Sequence, residues 1–208
     1  MNDFSVAMAL VDYIPVALFG VASALLIRDL YNKMAKGIFA LFAAGTINVF
    51  LAGFLKATWK LLYAAGVCDF TALDAMFFPV QSLGFLMAGA AVLAMLLYKN
   101  KGAKNALLGV AVPPVFSGTF LFVGLMVAGL GCMDGGLMVL AKKLKKPAAI
   151  CFFALSFLCS LCMGYLSSQD FTQAFMNWMA EIINVIGQGS LLLGVRMVSK
   201  AGLKDLTL

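Results

Sequence analysis

The sequence predicts an all-α, polytopic integral membrane protein. Two observations predict it. Of the 208 residues, 63% are hydrophobic and only 12% are charged, where soluble domains carry about a quarter. Charge this sparse cannot coat a globule of this size, so most of the surface faces lipid. The apolar residues also fall in runs of the length that a crossing helix needs, about 17–25 residues. The gaps between runs are a few residues long, so one membrane domain is expected over residues 1–208, with no soluble domain attached.

The elements follow in order. The first helix is expected over 12–30. Before Arg28 the chain carries Asp3 and Asp12 and no Lys or Arg, whereas a signal peptide opens on positive charge. The first segment therefore reads as a retained helix with its N-terminus outside. The second helix, 37–63, follows the loop "NKMAKG", and the third, 74–98, ends at Lys99, Lys101 and Lys104. Two later runs, 148–167 and 174–198, complete the clear set.

Residues 105–141 are too long for one helix and barely enough for two. Positive charge gathers in cytoplasmic loops. One crossing here would put the "KKLKK" cluster, Lys142 to Lys146, outside. Two crossings, 105–122 and 126–141, put every Lys/Arg cluster inside and leave only Lys56 and Lys60 on the outer half. The expectation is seven helices, N-terminus out and C-terminus in, with a turn near 122–127; a re-entrant segment is the rival. Pro113 and Pro114 would kink the fourth helix. The net charge of +6 thus reads as loops facing anionic lipid, not as a nucleic-acid surface.

The loop "NKMAKG" precedes the second helix as "KKLKKP" precedes the sixth. The chain therefore reads as three helices, one connecting helix and three more. This layout resembles that of SWEET and PQ-loop transporters, which are also N-out and C-in. The resemblance is one of layout: "PVQ" at Pro79 to Gln81 is not their Pro-Gln pair.

The strongest polar signal lies in the last helix. Asn177, Glu181, Asn184 and Gln188 follow steps of four, three and four, which puts them on one helical stripe. Met179, Ile182, Ile186 and Leu193 lie on the opposite side. A charge at mid-membrane costs roughly 2.5–3.5 kcal/mol on insertion scales, so the stripe must face protein or water. Interhelical hydrogen bonding alone is the plainer reading. Lys56 is expected at the depth of Glu181, roughly 10 Å in at 1.5 Å per residue, and is the expected ion-pair partner. Lys60 is expected to snorkel to the interface, and Trp59 and Tyr63 to belong to the aromatic belt.

Asn48 and Gln81 fall at similar depth and extend the polar layer. Asp134 in "GLGCMDGGL" lies either near the membrane centre or in an exposed turn. Gly124, Ala128, Gly131 and Gly135 make a stripe suited to close packing. With no His, His-based metal sites and Ser–His catalysis are excluded. No phosphate loop or metalloprotease motif occurs, so no cofactor, metal or catalytic residue is assigned and an enzyme is not expected. Cys159 and Cys162 form a CxxC, but deep in a helix with no cation near, so they read as packing. A membrane thiol oxidoreductase is the remote alternative.

The functional expectation is a transporter for a small polar or zwitterionic solute. Its partners would be that solute and membrane lipids, with no nucleic acid. The cavity would lie between the two three-helix units, with Glu181 binding a cationic group or carrying a coupling proton. Lys56 would meet an anionic group, and Asn48, Gln81, Asn184 and Gln188 would supply hydrogen bonds. Asn177 and Asp134 complete the candidate set. A non-transporting sensor or accessory subunit is the alternative function. The compact, loop-poor design points to a bacterial plasma membrane.

Overall fold

In a computed structural model, which describes residues 5–97, 119–166 and 174–207, the chain is helical with short connections. The helices are α1 (Val6–Val11), α2 (Tyr13–Leu30), α3 (Lys36–Ala64), α4 (Thr71–Ala75), α5 (Phe77–Leu97), α6 (Thr119–Lys143), α7 (Pro147–Leu166) and α8 (Ala174–Lys200). A short 3-10 turn, Leu203–Asp205, follows. Among the described residues, six segments are long and apolar enough to cross a membrane: Val6–Leu30, Lys36–Ala64, Thr71–Leu97, Leu121–Lys143, Pro147–Leu166 and Phe175–Lys200.

Each of two segments is interrupted by the loss of a helical hydrogen bond, for the same chemical reason, while its backbone stays right-handed helical at Asp12 and Met76. Proline has no N–H and its ring crowds the carbonyl four residues earlier. Pro15 lies four residues after Val11, where α1 ends, and Pro79 lies four residues after Ala75, where α4 ends. The breaks fall at Asp12 and Met76, which cap the two short helices. The α6–α7 connection is tight: Lys145 takes a left-handed φ of 56°, Lys146 N–H donates back to the Ala141 carbonyl, and Pro147 opens α7, where a missing N–H costs nothing.

The six segments form a closed ring in the order α2, α3, α5, α6, α7, α8 and back to α2. The end that carries the α3–α4 connection and the start of α8 is called upper; the end that carries the α2–α3 and α6–α7 connections is called lower. Most neighbours in the ring are antiparallel. Two pairs are parallel. Phe85 and Gly89 of α5 meet Gly129 of α6, and Val92 meets Gly136 further along. Likewise Leu18 of α2 approaches Gly189 of α8, and Arg28 bonds Ser199.

Small residues set the tightest crossings. A methyl on Gly45 would lie 2.6 Å from the Gly84 carbonyl oxygen, and one on Gly89 would collide with the Gly129 backbone. The core beneath these crossings includes Phe42, Phe153, Leu26, Met133, Leu137 and Val195, all under 2% exposed. The outer surface is apolar, with Val21, Leu51, Leu93, Val139 and Leu158 exposed, as a lipid-facing surface requires.

Two expectations need correction, and one alternative falls away. The turn near 122–127 does not form: α6 is continuous from Thr119 to Lys143. "FVGLMV" offers no polar group to replace helical hydrogen bonds, which an apolar setting obliges the backbone to keep. Of the two readings of "CMDGG", the exposed turn falls away: Asp134 is helical and fully buried. The close-packing stripe also differs, since Gly129 and Gly136 face α5 while Gly124 and Gly135 meet no side chain. Most of the expected helix at 105–122 lies outside the described residues.

Candidate functional site

α8 carries its polar stripe inward. Met179, Ile182, Ile186 and Leu193 are exposed on its outer side, while Asn177 and Glu181 are buried at 7% and 6% exposure. The stripe borders a cavity of about 340 Å³ in the upper half of the ring. From Asn177 to Gln188, both lining residues, the wall runs eleven residues of helix, roughly 16 Å at 1.5 Å per residue.

A cluster of three charges holds the upper end of that wall. Lys60 Nζ lies 2.6 Å from Asp12 Oδ2 and 3.0 Å from Glu181 Oε1. Its side chain is 10% exposed, against 11% for Asp12 and 7% for Glu181. Three segments meet here: Asp12 at the α1–α2 break, Lys60 in the last turns of α3, and Glu181 in the second turn of α8. One ammonium thus serves two carboxylates. Charges out of water persist only when paired and hydrogen-bonded, so the cluster ties these segments together.

Beside it, Lys56 sits 3.7 Å from Asp74 and 4.0 Å from the centre of the Phe77 ring, a cation–π contact. The Trp59 indole N–H donates to Asp69 at 2.9 Å. Tyr13 and Thr58 share a hydroxyl–hydroxyl bond of 2.9 Å across α2 and α3. The remaining wall is apolar and aromatic, with Phe19, Phe50, Phe78, Phe85, Met126 and Leu130.

Of the eight residues assigned from the sequence, Glu181, Asn184, Gln188, Asn177, Lys56 and Gln81 line this cavity. Asn48 does not. The cavity-facing line of α3 runs through Val49, Gly53, Lys56 and Lys60, and Asn48 is turned off it, half-buried. Asp134 is one turn lower than Leu130, with no exposed surface; neither carboxylate oxygen has a hydrogen-bond donor, and the Ser156 hydroxyl of α7 is the polar group acting on it.

The ion pair also differs from expectation. Lys60, not Lys56, binds Glu181, and Lys60 is buried instead of snorkelling. The two lysines are one turn apart on the same face, so spacing alone does not choose between them. Asp12 and Asp74, which come from two different interrupted segments, settle it by taking one lysine each. Trp59 is buried at 8% exposure and lines the cavity instead of serving the belt. Asp12 is the functional candidate that the sequence reading passed over, and Pro15 four residues after Val11 was the signal for a break beside it.

Cys159 lines the cavity, Cys162 is exposed, and both are free thiols. Among the described residues no group of three or more metal-ligating side chains occurs. Comparison with protein families, with characterised proteins and with solved structures finds no match. Fold and site together define a class: an all-helical chain of membrane-spanning type, with a cavity inside its ring lined by charged, polar and aromatic side chains.

Proposed function

We propose that the chain is a transporter for a small polar solute, and that the cavity walled by Asp12, Lys60 and Glu181 is where the solute binds. The observation that carries this reading is a buried charge cluster on the wall of a 340 Å³ cavity. Ionisable groups in a membrane interior are expensive and mark solute or ion pathways. Asp12 lies at one break and Asp74 two residues before the other, and both line the cavity.

The proposal includes seven crossings with the N-terminus outside. The parallel packing of α5 against α6 supports that count. Parallel α2–α8 and α5–α6 pairs are also what two three-helix units related by an axis along the membrane normal would make. Arg28, Lys33, Lys36, Lys142, Lys143 and Lys200 gather at the lower end, which the positive-inside pattern makes cytoplasmic.

Two measurements test these statements. In proteoliposomes the wild-type chain should accumulate a radiolabelled solute from a panel of amines, amino acids, sugars and carboxylates. Glu181→Gln, which keeps Lys60 paired with Asp12, should insert at wild-type abundance and lose uptake. Wild-type rates in that variant would make the stripe interhelical glue. For topology, an impermeant thiol reagent applied outside should label Cys68 and leave a cysteine at position 143 untouched; labelling at 143 would remove the seven-crossing arrangement.

A further inference from the structure

The polar groups of the cavity are unevenly engaged. Its charged lining residues are three carboxylates, Asp12, Asp74 and Glu181, against two ammonium groups, Lys56 and Lys60. Both ammonium groups are committed, Lys60 to Asp12 and Glu181 and Lys56 to Asp74 and the Phe77 ring. Two buried acceptors on the wall are left without a donor. Glu181 Oε2 and Gln188 Oε1 are buried and receive no hydrogen bond. They lie on the same stripe of α8, two turns apart, roughly 10 Å along the axis. Buried acceptors without donors are costly, and a carboxylate oxygen is the costliest of them.

We propose that the cavity is selective for a small organic ammonium: a positively charged amine with an apolar body. Its N–H donors would meet Glu181 Oε2, and any second donor would meet Gln188 Oε1. Its charge would balance the third carboxylate. Its body would lie against Phe50, Phe78, Phe85 and Leu130, the aromatic and aliphatic part of the wall. An anion would meet an excess of carboxylates. A neutral alcohol has only one donor and no charge, so it leaves the imbalance in place. A zwitterion brings a carboxylate whose only cationic partners are already taken.

This inference rests on the proposed role of the cavity as a solute site, but its test needs no transport. Benzylamine, benzyl alcohol, benzoate and phenylalanine share a ring and differ in charge. Each is titrated calorimetrically into the full chain in phosphatidylcholine nanodiscs, with empty nanodiscs subtracted. Benzylamine should bind saturably, and at least tenfold more tightly than any of the other three. Glu181→Gln should weaken benzylamine about tenfold or more, the range of a charge-assisted hydrogen bond. Gln188→Leu lies away from the charge cluster and beyond the reach of a single ammonium, so it should leave benzylamine affinity within about twofold and weaken 1,7-diaminoheptane, whose second ammonium reaches Gln188 Oε1, about fivefold. It keeps the test valid should Glu181→Gln fail to fold.

Equal or tighter binding of benzoate, benzyl alcohol or phenylalanine overturns the proposal. So does the absence of saturable benzylamine binding, or unchanged benzylamine affinity in Glu181→Gln; should that variant not fold, unchanged diaminoheptane affinity in Gln188→Leu overturns it instead. Saturable binding without amine uptake leaves the inference standing and removes the transport reading. Uptake of a sugar or a carboxylate with no amine binding does the reverse.

Discussion

Glu181 and Asp134 are both carboxylates buried in the ring, at 6% and 0% exposure, yet their surroundings have little in common. Glu181 has an ammonium at 3.0 Å, a second carboxylate across that ammonium, and a cavity in front of it. Asp134 is enclosed in the packed lower half with Ser156 near it and no donor on either oxygen. The upper half is built from long polar side chains around open volume. The lower half is built from side chains packed on one another, with Met133, Leu137 and Leu140 of the same helix at 1% exposure or less. Burial alone does not define a site; burial with a partner and with space for a ligand does.

The largest effect should come from removing the shared partner. Lys60→Met leaves Asp12 and Glu181 facing one another with no ammonium between them. Breaking a buried pair in this way costs about 3–5 kcal/mol. Adding Glu181→Gln to that variant should restore part of the loss, because it removes one of the two stranded charges. The measurement is unfolding in mixed micelles across the four-member cycle. Additive effects of the two substitutions would mean that Lys60 and Glu181 are not coupled, and the contrast with Asp134 would collapse.

A smaller effect is expected at Asp134. Asp134→Asn has nearly the same shape and breaks no ion pair among the described residues. Its stability should stay within about 1 kcal/mol of wild type, the scale of one ordinary hydrogen bond. The same unfolding assay reads it. A loss on the scale of Lys60→Met would show that Asp134 has a charged partner after all.

Much of this was legible in the sequence. The apolar runs place the observed helix ends within a few residues, as in 37–63 against Lys36–Ala64 and 174–198 against Ala174–Lys200, because spanning length is set by the bilayer. The inward stripe of α8 was legible too, since steps of four and three repeat the helical period. The choice between Lys56 and Lys60 was not, because it depends on Asp12 and Asp74, which come from other segments. Asp12 itself reads as the solvated start of a helix until Pro15 is recognised as breaking that helix beside it. The continuity of α6 was missed because charge counting located a turn in a stretch with no polar residue to form one.

The central claim is that the α8 stripe faces a solute-accessible space and Asp134 does not. It is tested by placing single cysteines at 184 and 134 in a chain whose five native cysteines are replaced by alanine. A small hydrophilic methanethiosulfonate reagent is then applied to the folded protein in liposomes. Asn184→Cys should be modified within minutes and Asp134→Cys should stay unmodified over the same period. Equal modification of the two positions, or reaction at 134 alone, would contradict the account.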